Sequence, residues 1–349
     1  MSTNKKLLVL GPMAKENELQ GGLTVSFSIF LEQLQKNKIE FEVINTNTIN
    51  NRYKIIALMN LYWLFFKKIR KSSHISLHGT ANDYIYLAPV VVFFSKIFGK
   101  TVSLRKFAGS FLEVFENLSL HKKILVKYAL SNSNINFFQT KYLVEYFKQF
   151  NRMTFWFPTV RNKLNQSVLL NKRYMKKFIF LGHIRSEKGI DQILEVSNML
   201  DDDYQINLFG PIAENKYDKI NWKKYKNISY KGVLKPSEVY SVLSRHDVLL
   251  LPTYWKGEGY PGVIIESLAL GLPIIATKLR GISEIVDESF GILIEAKNVD
   301  QLKKAILFFN EENYKSFSQA AYTKFIEFDA EIMIKKIIKQ IEVIISENE

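Results

Sequence analysis

Residues 249–277 read L-L-L-P-T-Y-W-K-G-E-G-Y-P-G-V-I-I-E-S-L-A-L-G-L-P-I-I-A-T. The apolar run Leu249–Leu251 reads as a buried strand that stops at Pro252. A loop rich in Gly and Tyr follows, and a helix opens near Gly262. Such a helix N-terminus offers unpaired backbone N–H groups and a positive dipole end to an anion. Gly259 and Gly262 let that backbone approach a ligand closely. Glu258 lies in the loop, and Glu266 lies one turn inside the helix. Two carboxylates have little use beside phosphate alone, and fit a ligand that also offers hydroxyls.

Outward from this stretch, short apolar runs alternate with longer amphipathic ones. Before it, strands are expected at Lys6–Leu10, Glu40–Ile44, Ile75–His78, Thr101–Arg105, Asn136–Gln139 and Thr154–Phe157, with helices at Leu23–Lys36 and Tyr142–Phe150. After a polar stretch at Arg161–Lys177 the alternation restarts. Strands are expected at Phe178–Leu181, Gln205–Phe209, Ile228–Tyr230, Val248–Leu251 and Pro273–Ala276, and helices at Ile190–Leu200, Ser237–Ser244, Val263–Leu270 and Asp300–Phe309. This alternation implies βαβ units and mostly parallel sheets covered on both faces. The fold class is α/β, with two doubly wound Rossmann-like domains facing a central cleft. Residues 1–160 form the N-terminal domain and residues 161–328 the C-terminal one. Residues 329–349 form a last helix, apolar on much of its circumference (Ile334, Ile337, Ile338, Ile341), that packs back toward the N-terminal domain. Ligands of such sheets sit beyond the carboxyl ends of the strands.

Composition sets the outer bounds. A chain of 349 residues, 47% apolar and 23% charged, is globular and too long for one core. The absence of cysteine excludes disulfides, thiolate zinc sites and cysteine nucleophiles. Of the net charge of +14, residues 1–160 carry +12 (21 Lys and Arg against 9 Asp and Glu). The positive field therefore belongs to the first half and points to anionic partners. The longest apolar stretch, Tyr84–Phe94, has 11 residues and contains Pro89, whereas a membrane span needs about 20. Leu7–Leu10 is too short for the apolar core of a signal peptide and reads as a first buried strand.

Two further elements carry chemistry. Phe178–Gly189, F-I-F-L-G-H-I-R-S-E-K-G, ends a strand in a Gly and places Arg185 and Lys188 before a helix. In the basic half, Gly11-Pro12 and Gly21-Gly22 separate the first strand from its helix. His78 and Gly79 end the strand of H-I-S-L-H-G-T, where His78 faces the expected cleft and His74 is buried. Arg105 to Ser110 end the next strand.

Together these residues resemble the retaining, GT-B-fold glycosyltransferases of family 4 (glycosyl transferases group 1), over nearly the whole chain. The most specific part is the pair Glu258 and Glu266, followed by Gly271-Leu272-Pro273 and Gly281-Ile282-Ser283-Glu284. The resemblance implies a donor site that includes Glu258, Gly259, Tyr260, Pro261, Gly262, Val263 and Glu266. In it Glu258 touches the transferred sugar and Glu266 the ribose diol of the nucleotide. Lys188 falls on the family's diphosphate-binding Lys, and Gly21-Gly22 on its Gly-Gly loop over the donor phosphates. The Arg that usually follows the Gly is replaced by His183, so the second cationic role goes to Arg185. A His of related sequences is replaced by Phe107, and His78 is the candidate to supply its sugar contact. The catalytic set is thus Glu258, Lys188, Arg185 and His78. The implied reaction moves a sugar from a UDP- or GDP-linked donor by front-face attack, without a cofactor or metal ion.

Asp201-Asp202-Asp203 contains a D-x-D but falls between a helix and a strand, and reads as a solvated turn. Met59–Ser73 joins Leu, Tyr, Trp and Phe to a Lys/Arg cluster, and Lys122, Lys123 and Lys127 form a second basic patch. Both suit an anionic membrane surface. The expected setting is cytoplasmic and peripheral on the inner face of the cell membrane, with a lipid-linked sugar of a surface polysaccharide as acceptor. Three alternatives stay open. One is a protein of the same fold with epimerase-like action, and another is a non-catalytic nucleotide-sugar binder. The third, a nucleic-acid-binding protein, lacks any supporting motif.

Overall fold

The computed structural model describes residues 6–13, 21–47, 54–164, 168, 170 and 172–348. The chain divides into two compact units: one runs to Asn162 and resumes at Asp329, and the other is Lys163–Phe328.

The first unit is built on six parallel strands, β1 (Leu7–Gly11), β2 (Phe41–Asn45), β3 (His74–Gly79), β4 (Thr101–Lys106), β5 (Ile135–Phe138) and β6 (Thr154–Trp156). Their order across the sheet is β2-β1-β3-β4-β5-β6. The helices are α1 (Gly22–Lys36), α2 (Lys54–Ile69), α3 (Ala81–Tyr86), α4 (Ala88–Ile97), α5 (Phe111–Glu116), α6 (Leu120–Asn132) and α7 (Lys141–Phe147). Alternation along each strand makes two cores. Leu8, Leu10, Ile75, Leu77, Val102 and Leu104 join the core that contains residues of α2 to α7. Leu7, Val9, Ile135 and Phe137 join the one that contains α1 and the C-terminal helix Ala330–Asn348. That helix is tied to the unit where Ala330 N–H donates to the Arg161 carbonyl at 2.9 Å. Its Met333, Ile334, Ile337, Ile338, Ile341, Ile344 and Ile345 are buried, each worth about 1.5–3 kcal/mol relative to exposure.

The apolar stretch Tyr84–Phe94 becomes parts of two helices broken at Leu87, with Pro89 in the first turn of α4, where its missing N–H costs nothing. Among the described residues no helix is long and apolar enough to cross a membrane.

The second unit is also a six-stranded parallel sheet: β7 (Lys177–Leu181), β8 (Gln205–Phe209), β9 (Ile228–Tyr230), β10 (Val248–Leu251), β11 (Ile274–Thr277) and β12 (Gly291–Ile294). The order is β12-β11-β10-β7-β8-β9. Its helices are α8 (Ile190–Ser197), α9 (Asn215–Asp218), α10 (Val239–Leu243), α11 (Gly262–Leu268), α12 (Arg280–Ser283), α13 (Val299–Phe308) and α14 (Glu311–Lys324).

One strand face in the first unit departs from the apolar rule. His74, Ser76 and His78 point to one side of β3, and the register of β3 on β4 sets Thr101 and Ser103 beside them. His74 Nδ1 and Nε2 lie 2.8 and 2.9 Å from Thr101 Oγ1 and Ser103 Oγ. Ser103 Oγ donates to Ser76 Oγ at 2.9 Å, and Ser76 Oγ lies 3.0 Å from His78 Nε2. Burial pulls the His74 pKa down to about 3. It also holds His78 well below its ordinary value, with the Arg105 charge adding to the effect. Both imidazoles are therefore neutral in the folded chain and take up protons near pH 6.5 when it unfolds. Stability is full above that pH and falls as pH drops, by about 1.4 kcal/mol per pH unit for each histidine. Urea midpoints measured from pH 7 to pH 5 should fall accordingly. The His74→Gln variant should show a shallower slope, and an unchanged slope would contradict the assignment.

Candidate functional site

In the second unit β7 and β10 are parallel neighbours, with Val248 beside Phe178 and Leu249 beside Ile179. Their carboxyl ends therefore emerge together, and segments 70 residues apart meet there. After β7 the chain runs through Gly182-His183-Ile184-Arg185 into a short 3₁₀ turn, Ser186–Lys188, and Gly189 starts α8. Gly189 has φ +80°, and a Cβ there would lie 2.3 Å from the Pro252 carbonyl oxygen, so only glycine permits this approach. Across the contact the Glu187 carbonyl accepts from Tyr254 N–H at 2.8 Å and from Thr253 Oγ1 at 3.1 Å.

The side chains at this junction form two ion pairs. Lys188 Nζ pairs with Glu258 Oε1, and Arg185 Nη2 with Glu187 Oε2. Glu258 is the most enclosed of the four, with its side chain 11% exposed, and it also accepts from Thr253 Oγ1 at 3.3 Å. The Arg185 guanidinium lies over the Trp255 ring at 4.1 Å, and Lys188 Nζ lies 5.8 Å from the same ring. His183 is exposed. Its pKa is lowered, first by partial burial and then by the charges of Lys188 and Arg185.

The second half of the loop is held from behind. A Cβ on Gly281 would lie 2.6 Å from the Gly259 carbonyl oxygen, and Tyr260 Oη donates to Glu284 Oε2 at 2.5 Å. Pro261 precedes α11, no side chain caps that helix and its first turn holds no acid. Gly262 and Val263 form its first turn, and Glu266 follows one turn on, half-buried. The junction of these two segments thus gathers Arg185, Lys188 and Glu258, with residues 259–263 following in the second loop. Fixed cations beside carboxylates can exchange an internal partner for an anionic ligand with hydroxyls.

The remaining sequence candidates lie in the first unit. Gly21 and Gly22 are exposed at the start of α1, and a Cβ on either would meet nothing within 4 Å among the described residues. Residues 14–20 before them lie outside the described residues. His78, expected to face a cleft, is 1% exposed instead. Strand alternation turns it into the core, where Phe30, Phe27 and Phe107 surround it with ring centroids 4.4, 5.3 and 6.1 Å away. A neutral, enclosed imidazole is a packing residue, and the structure gives it no place in a surface catalytic set. The exposed Asp202 and Asp203 pair with Lys226 and Lys176, as a solvated turn does. Among the described residues no group of three or more His, Asp or Glu could hold a metal ion.

The sequence reading missed Trp255, Glu187 and Thr253. Trp255 stood inside the quoted loop, but only the adjacency of β7 and β10 shows that it meets Arg185.

Residues 162–324 match the family described as glycosyl transferases group 1. An uncharacterized glycosyltransferase of Methanocaldococcus jannaschii is 24% identical over 318 residues, covering 86% of this chain and 88% of that protein. An Escherichia coli UDP-Gal:alpha-D-GlcNAc-diphosphoundecaprenol alpha-1,3-galactosyltransferase is 24% identical over 155 residues, 42% of this chain and 40% of the enzyme. Among solved structures, Anabaena HepE in complex with UDP superimposes with a TM-score of 0.72 at 14% identity, covering 97% of this chain and all of HepE. Two parallel six-stranded sheets with this likeness make the chain a GT-B fold, and its residues 162–324 are similar to the glycosyl transferases group 1 domain.

Proposed function

We propose that the chain is a retaining, metal-independent glycosyltransferase using a UDP- or GDP-linked sugar. The observation that carries this reading is the Lys188–Glu258 pair, held at the joined carboxyl ends of β7 and β10. When a nucleoside-diphosphate sugar enters, Lys188 and Arg185 exchange their carboxylate partners for diphosphate oxygens. Glu258, released, accepts hydroxyls of the transferred sugar, and Glu266 accepts those of the ribose. The bond between the anomeric carbon and the phosphate oxygen then breaks, and its electron pair stays on the departing diphosphate. An acceptor hydroxyl bonds to the same face of that carbon and gives its proton to the leaving phosphate oxygen. Negative charge grows on the diphosphate during this step, so cations fixed beside it stabilise the transition state more than the ground state. Glu258 orients the sugar and is not itself attacked.

The acceptor we infer is a lipid-linked saccharide of surface polysaccharide synthesis, reached from the cytoplasmic side of a membrane. Its support is a lateral face of the first unit. Ile56, Met59 and Trp63 of α2, Phe93 and Ile97 of α4, and Leu120 and Ile124 of α6 are all exposed, Trp63 by 60% and Leu120 by 76%. The helices join sideways: Phe66 meets Phe94 at 4.6 Å, and Tyr62 Oη donates to the Tyr86 carbonyl at 3.2 Å. Lys67, Arg70 and Lys71 flank this face on α2 and just beyond it, and Lys122, Lys123 and Lys127 on α6. Apolar side chains within a basic rim suit an anionic bilayer, at roughly 1 kcal/mol per cation.

Four measurements test these readings. In a thermal-shift panel of nucleoside diphosphates and their sugars, one base should raise the melting temperature. Lys188→Ala should lower kcat/KM by about 100-fold or more, and Glu266→Ala by about 10- to 100-fold, the cost of a hydrogen bond to a charged group. Covalent trapping of sugar on Glu258 with donor alone, or wild-type turnover by both variants, would overturn the mechanism. Separately, the protein should sediment with phosphatidylglycerol vesicles at low salt and stay free of phosphatidylcholine vesicles. Trp63→Ala with Lys67→Glu should release it, and equal sedimentation of the variant would remove the membrane face.

A further inference from the structure

Arg185 and Lys188 sit three residues apart on one turn, and two like charges so placed repel each other and tend to splay into solvent. Both instead lie over one indole, that of Trp255, which belongs to the other loop. The indole is itself held by its backbone. Trp255 N–H donates to Thr253 Oγ1 at 3.3 Å, and the Trp255 carbonyl accepts from Glu258 N–H at 3.2 Å. Gly257 makes room for the ring, since a Cβ there would lie 2.1 Å from Trp255 Nε1.

Stacking differs from ion pairing in what it leaves available. It uses the flat face of a guanidinium, whereas the N–H donors lie in its plane. Arg185 gives Nη2 to Glu187, and its buried Nε has no hydrogen-bond partner among the described residues. The group is therefore fixed by its face while donor capacity remains for an anion.

We propose that Trp255 is a positioning residue of the donor site. Its indole carries Arg185 to the diphosphate beside Lys188, and so lets a cation two residues beyond His183 serve there. The inference rests on the reading of this site as one for a nucleoside diphosphate. It goes beyond that reading by assigning the placement of Arg185 to a residue that itself touches no phosphate.

The test is a double-mutant cycle read by calorimetric Kd for UDP and for GDP. Trp255→Leu should weaken binding of whichever nucleotide the wild type prefers by about three- to tenfold, the range of a partly desolvated cation–π contact. Trp255→Phe, which keeps an aromatic face, should stay within about twofold of wild type. In an Arg185→Ala background, Trp255→Leu should add no further loss. Equal weakening in both backgrounds would mean that Trp255 merely supports the loop, and an unchanged Kd would mean that it does nothing for Arg185. Either result overturns the inference while leaving the donor site intact. If Trp255→Leu fails to fold, Trp255→Met makes the same comparison. A wild type that binds neither nucleotide would instead overturn the reading of the site, and this inference with it.

Discussion

The candidate site depends on the absence of one methyl-sized group, the Cβ that Gly189 lacks. β7 and β10 lie side by side in a parallel sheet, so their loops must share the space beyond the carboxyl ends. At Gly189 the two backbones touch, and any side chain would collide with the Pro252 carbonyl. That contact lets Tyr254 and Thr253 bond the Glu187 carbonyl. It also sets the distance across which Lys188 meets Glu258 and Arg185 meets Trp255. A wider separation of the loops would leave Lys188 and Glu258 as independent, solvated groups, whose pairing contributes little.

Without a ligand, each of the two cations faces a carboxylate, and the pairs differ in kind. Arg185 and Glu187 are neighbours on one turn, with the Glu187 side chain 44% exposed, so water competes for both. Lys188 and Glu258 belong to different loops, and Glu258 is largely enclosed. Removing one partner of an enclosed pair leaves a charge short of solvation. A ligand that carries both phosphate and hydroxyls satisfies the two groups at once, whereas inorganic phosphate would satisfy Lys188 and strand Glu258. On the proposed reading, the pair would favour a molecule with both chemistries.

How much of this was legible follows from what each signal measures. The strand–loop–helix alternation was readable because buried parallel strands are continuous apolar runs, such as Leu249–Leu251 and Phe178–Leu181. Lys188 and Glu258, which the structure brings together, were readable as candidates because they stand in loops or helix starts of a recognisable pattern. The edge strand β12, Gly291–Ile294, was not, since half-exposed Ile292 and Leu293 give no continuous buried run. Nor was α14, whose composition is largely polar. The burial of His78 was hidden for a different reason. A strand-end residue points outward or inward according to pleat and to the aromatic residues of a distant helix, and Phe27 and Phe30 on α1 are what enclose it. Trp255 was hidden because stacking partners are set by strand order, which one sequence does not display.

Phe107 draws its meaning from the same enclosure. It follows β4 directly and packs against His78, and the Arg105 guanidinium lies 4.7 Å from its ring. Arg105 is 2% exposed, stacks on Phe157 at 3.4 Å and donates to the Pro158 carbonyl at 3.1 Å. Burial first and the Arg105 charge second hold the His78 pKa well below its ordinary value, so protonating a further base in this place would cost more still. A histidine in place of Phe107 would be a second such base against the same charge, pushed neutral and left seeking a hydrogen bond in an apolar core. Phenylalanine offers instead a neutral ring whose face attracts the cation and which packs tilted against the imidazole. The departure at 107 and the inward turn of His78 are therefore one arrangement. The core around Arg105 is closed by aromatic rings, and the residues exposed in the first unit are left to meet whatever partner it binds.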